Sequence, residues 1–277
     1  MIALPPFHTL GFWLSSIFIT MLHVLGIIIP EPLMFCVTLI LSVGIPHGAL
    51  DAVILSSSHS QTAHSIVEVM CMYLMIMAFC YIAWYFISPL ALAFFLASSA
   101  YHFGGDWAHC ATTRMLIGSG ILSSMYVYHP VETLHWLLLI SPALSLTNLY
   151  GLSCVLFALC VCVIAIKLYQ GQHAYLECAM LIFISKVLTP IAFFTLYFCT
   201  LHSPRHYHSL IKRKYLTLSR VPLLAVFTLA TYCIGFITYY LFFTAFRFHD
   251  AMISNLLVLL LILNIPHNLM GYLFKRP

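Results

Sequence analysis

The stretch LYFCTLHSPRHYH, Leu196–His208, places three histidines and an arginine at the end of a long apolar run. Imidazole and guanidinium groups are costly in hydrocarbon, so at such a position they generally face a cavity, a partner or a functional site. The apolar part predicts a helix that crosses a membrane. The histidines mark the place where that helix meets something polar.

The composition of the whole chain supports this prediction. Of its 277 residues, 63% are hydrophobic and 6% are charged, whereas a soluble domain carries about 25% charged residues. So few charges cannot cover a water-facing surface, and we expect a single integral-membrane domain over residues 1–277. The formal net charge of +4 comes from cations in helix-end loops rather than from a basic patch, which argues against a nucleic-acid partner.

The apolar runs predict an all-α fold, a polytopic transmembrane bundle of about eight to ten helices. A membrane span needs about 20 apolar residues, and ten runs approach that length. They are Thr9–Ile29, Pro32–Leu55, Ser65–Ile87, Pro89–Trp107, Met115–Tyr128, Val131–Thr147, Tyr150–Leu168, Tyr175–Leu201, Val221–Phe246 and Ala251–Tyr272. The fifth and sixth runs are short, and form either two spans or a re-entrant pair. Lys and Arg concentrate after the even-numbered runs, which predicts cytoplasmic termini in the cell (inner or plasma) membrane.

Several of the fifteen histidines lie in compact polar islands at the ends of even-numbered runs. These islands are GIPHGALD (Gly44–Asp51), SAYHFGGDWAH (Ser99–His109), LHSPRHYH (Leu201–His208) and NIPHNLMG (Asn264–Gly271). Because even-numbered spans end at the same face of the membrane, the four islands are expected at one depth, toward the cytoplasm.

The spacing within the islands is typical of a metal site. His47/Asp51, His102/Asp106 and His202/His206 are each four residues apart, so each pair shares one helix face. A metal-bound histidine usually donates its other ring N–H to a carboxylate or a carbonyl. Each aspartate is therefore expected to support a histidine, either in its own helix or in a neighbouring one. Imidazoles with outer carboxylates suit iron, copper, zinc or nickel, and spacing alone does not choose among them.

The third island also carries a local prediction about the backbone. Ser203 as N-cap, with Pro204 at the first helical position, would begin a new helix. His202 and His206 would then converge across a break, and Arg205 would anchor the helix end at the cytoplasmic interface.

Together the motifs PHGALD (Pro46–Asp51), YHFGGD (Tyr101–Asp106), HSPRH (His202–His206) and the late PH (Pro266–His267) resemble the Brp/Blh family of membrane β-carotene 15,15′-dioxygenases. The resemblance implies cleavage of the central double bond of β-carotene, with Fe(2+) as cofactor and O2 as co-substrate, to give two molecules of all-trans-retinal. It further implies that membrane lipid surrounds the protein and that retinal is delivered to a rhodopsin.

Residue by residue, the resemblance implies four iron ligands, which are His47, His102, His202 and His206. Other motif residues are expected to support these ligands or to add one: Asp51, Asp106, His267 and Tyr101. Aromatic residues near the islands are candidates for the wall of a substrate tunnel: Phe103, Trp107, Phe193, Phe194, Tyr197, Phe198 and Tyr272. Ordinary packing or lipid contact is the favoured interpretation of the aromatic set, because aromatic side chains pack cores and interfaces generally.

Other function classes also use histidines within membrane helices. A histidine-box lipid desaturase or hydroxylase needs H-x-x-H-H clusters, whereas this chain has the single H-x-x-x-H of His202 and His206. A metal or proton transporter based on His and Asp is a non-enzymatic alternative, since intramembrane ionisable residues also mark ion routes. A haem protein with axial histidines is a third.

Overall fold

The structure, a computed structural model, describes residues 7–27, 33–56, 63–143, 149–215 and 217–273, and every regular element in these ranges is helical. The α-helices are α1 (Leu10–Val24), α2 (Leu33–Leu39), α3 (Ile45–Ser56), α4 (Ala63–Gly104), α5 (Ala111–Tyr128), α6 (Pro130–Ile140), α7 (Leu149–Tyr169), α8 (Leu176–Val187), α9 (Pro190–Tyr197), α10 (Ser203–Lys212), α11 (Val221–Thr238) and α12 (Phe248–Leu273). Three π-helical turns join some of them, π1 (Ile40–Gly44), π2 (Phe198–His202) and π3 (Tyr239–Phe243).

Five helical stretches in the described ranges have the length and composition of a membrane span. They are Leu33–Asp51, Cys71–Gly104, Leu149–Tyr169, Val221–Phe243 and Phe248–Leu269, with mean hydropathies from 1.8 to 2.7. The prediction of a polytopic all-α bundle is confirmed. Helices α1 and α6 are apolar but shorter, and the count of eight to ten spans stays a prediction.

The third and fourth predicted spans run together as the 42-residue helix α4. At 1.5 Å per residue a straight helix of this length would extend about 63 Å, twice the thickness of a hydrocarbon core. Ile87 interrupts it with non-helical dihedral angles (φ −136°, ψ 49°) two residues before Pro89. Proline disfavours the α conformation in the preceding residue and removes a backbone donor, so α4 bends close to the point where the two predicted spans meet.

The eighth predicted span, Tyr175–Leu201, is wrong as a single helix. Helix α8 ends at Val187, and Thr189 is extended (φ −60°, ψ 155°) before α9 begins at Pro190. Proline forces this geometry on the residue before it, although the apolar run continues through the break. The prediction of which helix ends share a membrane face assumed ten continuous spans, and the eighth of them is not continuous.

The predicted break at Ser203 is also wrong, because the chain stays helical from α9 through π2 into α10. His202 and Ser203 both have right-handed helical dihedral angles, and the Ser203 N–H donates to the Phe198 carbonyl, five residues back. A π-turn absorbs one extra residue within a helix and is frequent at functional sites. Here it lies immediately before Pro204.

The turn π1 repeats this arrangement before Pro46. The Ile45 N–H donates to the Ile40 carbonyl, while Pro46 has no N–H with which to continue the ladder. The Leu41 carbonyl, which a π-helical donor at position 46 would have reached, instead accepts the Tyr232 hydroxyl of α11. The two π-turns also touch, since a Cβ on Gly44 would lie 2.5 Å from Cε1 of Phe198.

Helix α5 packs closely against the end of α4 because two glycines lie at the contact. A Cβ on Gly118 would lie 1.8 Å from the Ala100 carbonyl oxygen, and one on Gly104 would lie 1.9 Å from the Arg114 carbonyl oxygen. Only the absence of a side chain allows backbones to approach this closely. The approach fixes the end of α4, where the second histidine island lies.

Candidate metal centre

Five histidines from different parts of the chain converge in the structure. His47 is on α3, His102 near the end of α4, His202 at the end of π2, His206 on α10 and His267 on α12. Measured from the His47 ring, the centroids of the other four rings lie 4.5–6.4 Å away. The predicted convergence of four islands is therefore confirmed.

Three of these imidazoles bring their ring nitrogens together. The donor atoms of His47, His102 and His202 all lie within 4.8 Å of one another, and the Nε2 atoms of His102 and His202 are 3.0 Å apart. Imidazole nitrogens bind a first-row metal ion at about 2.0–2.1 Å, so two neighbouring ligands at a right angle stand about 3 Å apart. The His102–His202 pair has this separation.

His47 has the environment expected of a metal ligand. Its side chain is buried, with 3% of the residue exposed, and neither ring nitrogen has a hydrogen-bond partner among the described residues. Buried polar atoms are almost always paired, and an imidazole with a free lone pair is suited to a metal ion. The residues present therefore fit a metal held by histidine nitrogens.

Both aspartates of the motifs support a histidine from another helix. Asp106 Oδ2 lies 2.9 Å from Nδ1 of His202, and the Asp51 oxygens lie 2.9 and 3.1 Å from Nδ1 of His267. A carboxylate that accepts the Nδ1 proton fixes the tautomer and leaves Nε2 with its lone pair. His202 thus presents Nε2 to the cluster, 3.0 Å from Nε2 of His102, and the contact of His267 with Asp51 leaves its Nε2 with a lone pair.

Each carboxylate also accepts a tyrosine hydroxyl. The Tyr197 O–H donates to Asp106 at 2.8 Å, and the Tyr73 O–H lies 3.5 Å from Asp51. Burial opposes ionisation of the Asp106 carboxyl, but nearby His202 and Arg205 and its hydrogen bonds lower its pKa from the ordinary value. Asp106 is therefore held as a carboxylate that accepts hydrogen bonds from two sides.

We expect Asp106→Asn to weaken metal binding by about 10- to 100-fold, the usual effect of removing the outer partner of a ligand histidine. The amide keeps the size of the side chain but loses the charge that holds the Nδ1 proton of His202. Chelator competition on the purified variant measures the affinity. An affinity equal to that of the unmodified protein would show that His202 does not depend on this contact.

Part of the predicted aromatic set packs against the clustered histidines. Phe198 stacks on His202 with ring centroids 5.7 Å apart and lies edge-on to His47 at 5.8 Å. The Phe103 ring is 5.0 Å from that of His202. Phe193 and Phe194 belong to the same apolar core. These contacts give the cluster an apolar wall, and its use as a tunnel stays a prediction.

Other predicted residues combine ring contacts with polar ones, and the Tyr197 ring also lies 5.8 Å from that of His202. Trp107 and Tyr197 stack on each other (centroids 5.9 Å) and also make polar contacts, since Trp107 Nε1 donates to Glu177 at 2.9 Å. Tyr101 is 40% exposed, and the Arg114 guanidinium lies 4.1 Å from the centroid of its ring. The side chain of Tyr272 falls outside the described residues.

Sequence reasoning missed two buried partners of the site. Glu177 accepts hydrogen bonds from Trp107 and from Arg205, whose side chain is 19% exposed. The prediction that Arg205 anchors a helix end at the interface is therefore wrong, because its guanidinium is turned inward to a carboxylate. The second missed residue is Tyr73, whose hydroxyl lies 3.5 Å from Asp51. An isolated acid within an apolar run was the signal that could have indicated Glu177.

Comparison with known proteins agrees with this arrangement. A family model described as beta-carotene 15,15′-dioxygenase matches residues 38–275. The chain is 23% identical over 254 residues to a beta-carotene 15,15′-dioxygenase of an uncultured marine bacterium (66A03), a match that covers 86% of this chain and 92% of that protein. No solved structure matches the chain. The matched range contains all five clustered histidines.

Proposed function

The chain belongs to the beta-carotene 15,15′-dioxygenase family, and from this premise we propose that it cleaves the central double bond of β-carotene with O2 to give two molecules of all-trans-retinal. The observation that carries the proposal is the convergence of five imidazole rings, three of which bring their ring nitrogens within 4.8 Å of one another, in a chain with membrane-type helices. β-Carotene is apolar and about as long as the roughly 30 Å hydrocarbon core, so the lipid bilayer is both its solvent and its route to the protein.

The metal in the proposed enzyme is Fe(2+), held by His47, His102, His202 and His206. Bound iron would supply the activation of O2. His267 borders the same cluster, with its ring centroid 4.8 Å from that of His47 and 4.9 Å from that of His102, and because its Nδ1 contacts Asp51, its Nε2 could serve as a further ligand. Asp106 and Asp51 orient His202 and His267 through their Nδ1 atoms.

The protein's other contribution is to position the polyene. Phe198 and Phe103 place apolar rings directly against the histidines, where they exclude water and offer a surface for a conjugated chain. The double bonds of a carotenoid differ little in reactivity, so holding the central one at the metal selects it, which is catalysis by positioning. No protein nucleophile or general acid is needed.

The setting of the reaction follows from the same proposal. The enzyme lies in the cell membrane with its histidine cluster toward the cytoplasm, and it releases retinal into the bilayer, from which a rhodopsin takes it up. A lipid desaturase or hydroxylase is disfavoured because the sequence contains no H-x-x-H-H cluster.

We expect the purified protein in detergent to convert β-carotene into retinal when supplied with Fe(2+) and O2. Chromatography of the products gives the test, and removal of iron by a chelator should abolish the reaction. Fe(2+) should restore it, whereas Zn(2+), which binds imidazole but has no redox chemistry, should not. Cleavage to aldehydes of unequal length would refute central cleavage. Intact carotene in the presence of iron-loaded, folded protein would refute the substrate.

A further inference from the structure

Glu177 is a buried acid that belongs to none of the histidine motifs. It lies in the first turn of α8 with 6% of the residue exposed. One carboxylate oxygen, Oε2, accepts both the Trp107 Nε1–H, at 2.9 Å, and an N–H of the Arg205 guanidinium. Burying a carboxylate is costly unless it accepts hydrogen bonds. Here an indole N–H and a charged guanidinium supply them.

Through its hydrogen bond with Trp107, Glu177 also holds the neighbouring residue in the chain, Asp106. The Trp107 ring stacks on Tyr197, with planes inclined by 21°, and Tyr197 donates its hydroxyl to Asp106. Tyr175 adds a hydrogen bond to the Trp107 carbonyl at 3.4 Å. Glu177 therefore holds the segment that carries the partner of His202.

The contact with Arg205 reaches the same histidines from the other side. Arg205 lies three residues after His202 and immediately before His206 on a continuous helix. Its guanidinium lies over the Trp107 ring, 5.3 Å from the centroid, and its Nη1 is buried without a hydrogen-bond partner in the described ranges. Glu177 is the carboxylate that pairs with this partly buried cation.

We propose that Glu177 is a positioning residue of the metal centre: by pairing with Arg205 it leaves Asp106 to orient His202. Arg205 lies over the ring of Trp107, the residue that follows Asp106 in the chain. Without Glu177, the unpaired guanidinium would draw the Asp106 carboxylate toward itself, and His202 would lose its fixed tautomer and orientation. This inference rests on the proposed metal centre.

The test measures binding of cobalt(II) alone by the purified protein, through its visible absorption and by competition with a chelator. Glu177→Gln keeps the shape and an acceptor for Trp107 but leaves Arg205 unpaired, and we expect cobalt affinity to fall about tenfold with an altered spectrum. Glu177→Gln/Arg205→Gln removes both charges and should return the affinity close to that of the unmodified protein. Asp250→Asn, which changes a carboxylate that pairs with the half-exposed His135 outside the cluster, is the control and should leave the cobalt affinity unchanged.

Melting of the metal-free protein, followed by circular dichroism, separates positioning from simple structural support. If Glu177→Gln melts earlier but its folded form binds cobalt as the unmodified protein does, the proposal is overturned. It is also overturned if the double variant binds no better than the single one. An unmodified protein that binds no cobalt or iron would refute the metal centre itself, which differs from a failure confined to Glu177.

Discussion

Replacement of His47 by alanine is expected to abolish retinal formation and to lower the iron content of the purified protein. His47 lies at the middle of the cluster, with His202, His206 and His267 at ring-centroid distances of 5.0, 4.5 and 4.8 Å. Both of its ring nitrogens lack partners among the described residues, so no hydrogen bond that stabilises the fold is lost. The loss should therefore fall on metal binding.

The measurement is retinal made in a β-carotene-accumulating bacterial host, together with iron per purified protein molecule. His173→Ala is the matched control, because His173 is exposed in the short 3₁₀ turn before α8. It should make as much retinal as the unmodified chain. Full activity and iron content in His47→Ala would exclude this histidine from the metal centre and weaken the proposed function with it.

The histidines of the cluster could be predicted because each sits in a short polar island within an apolar run. Hydrocarbon makes such islands expensive, so their residues stand out without knowledge of the fold. Their convergence was predicted from the helix ends of a ten-span arrangement, although the eighth of those spans is not a single helix. The predicted pairs His47/Asp51 and His102/Asp106, in contrast, describe only neighbours on one helix face. Contacts between helices decided that the two carboxylates serve His267 and His202 instead.

The local backbone was harder to predict from composition. Hydropathy treats Tyr175–Leu201 as one span, although the Thr189–Pro190 dipeptide disfavours helix at its first residue. At Ser203–Pro204 the same rule predicted a break that does not occur. The helix continues there through π2, in which the Ser203 N–H donates to the carbonyl five residues back instead of four. Single-sequence rules contain no signal for that shift.

Glu177 and Arg205 show a different limit. Their pairing joins α8 to α10, and no periodicity relates residues on two helices separated by a break. Arg205 was predicted to face the membrane surface because arginine usually does. A buried carboxylate on another helix overrides that preference, and only the packing of α8 places it there.

Gly118→Ala is expected to destabilise the protein strongly, because the added methyl group is directed at the backbone of α4. The new Cβ would lie 1.8 Å from the Ala100 carbonyl oxygen and 2.6 Å from its carbon, and backbone cannot swing aside as a side chain can. Overpacking ordinarily costs about 1–3 kcal/mol, and here we expect the upper end, a fall in melting temperature of about 10 °C.

The displacement should also reach the metal centre, because Ala100 lies two residues before His102 on α4. Gly151→Ala on α7 is the matched control: its Cβ would meet nothing within 4 Å, and alanine favours helix by about 0.5–1 kcal/mol. That variant should melt at the same temperature or slightly higher and bind iron normally. If Gly118→Ala behaved like Gly151→Ala, the close approach of α5 to α4 would be wrong, and with it the packing that fixes His102.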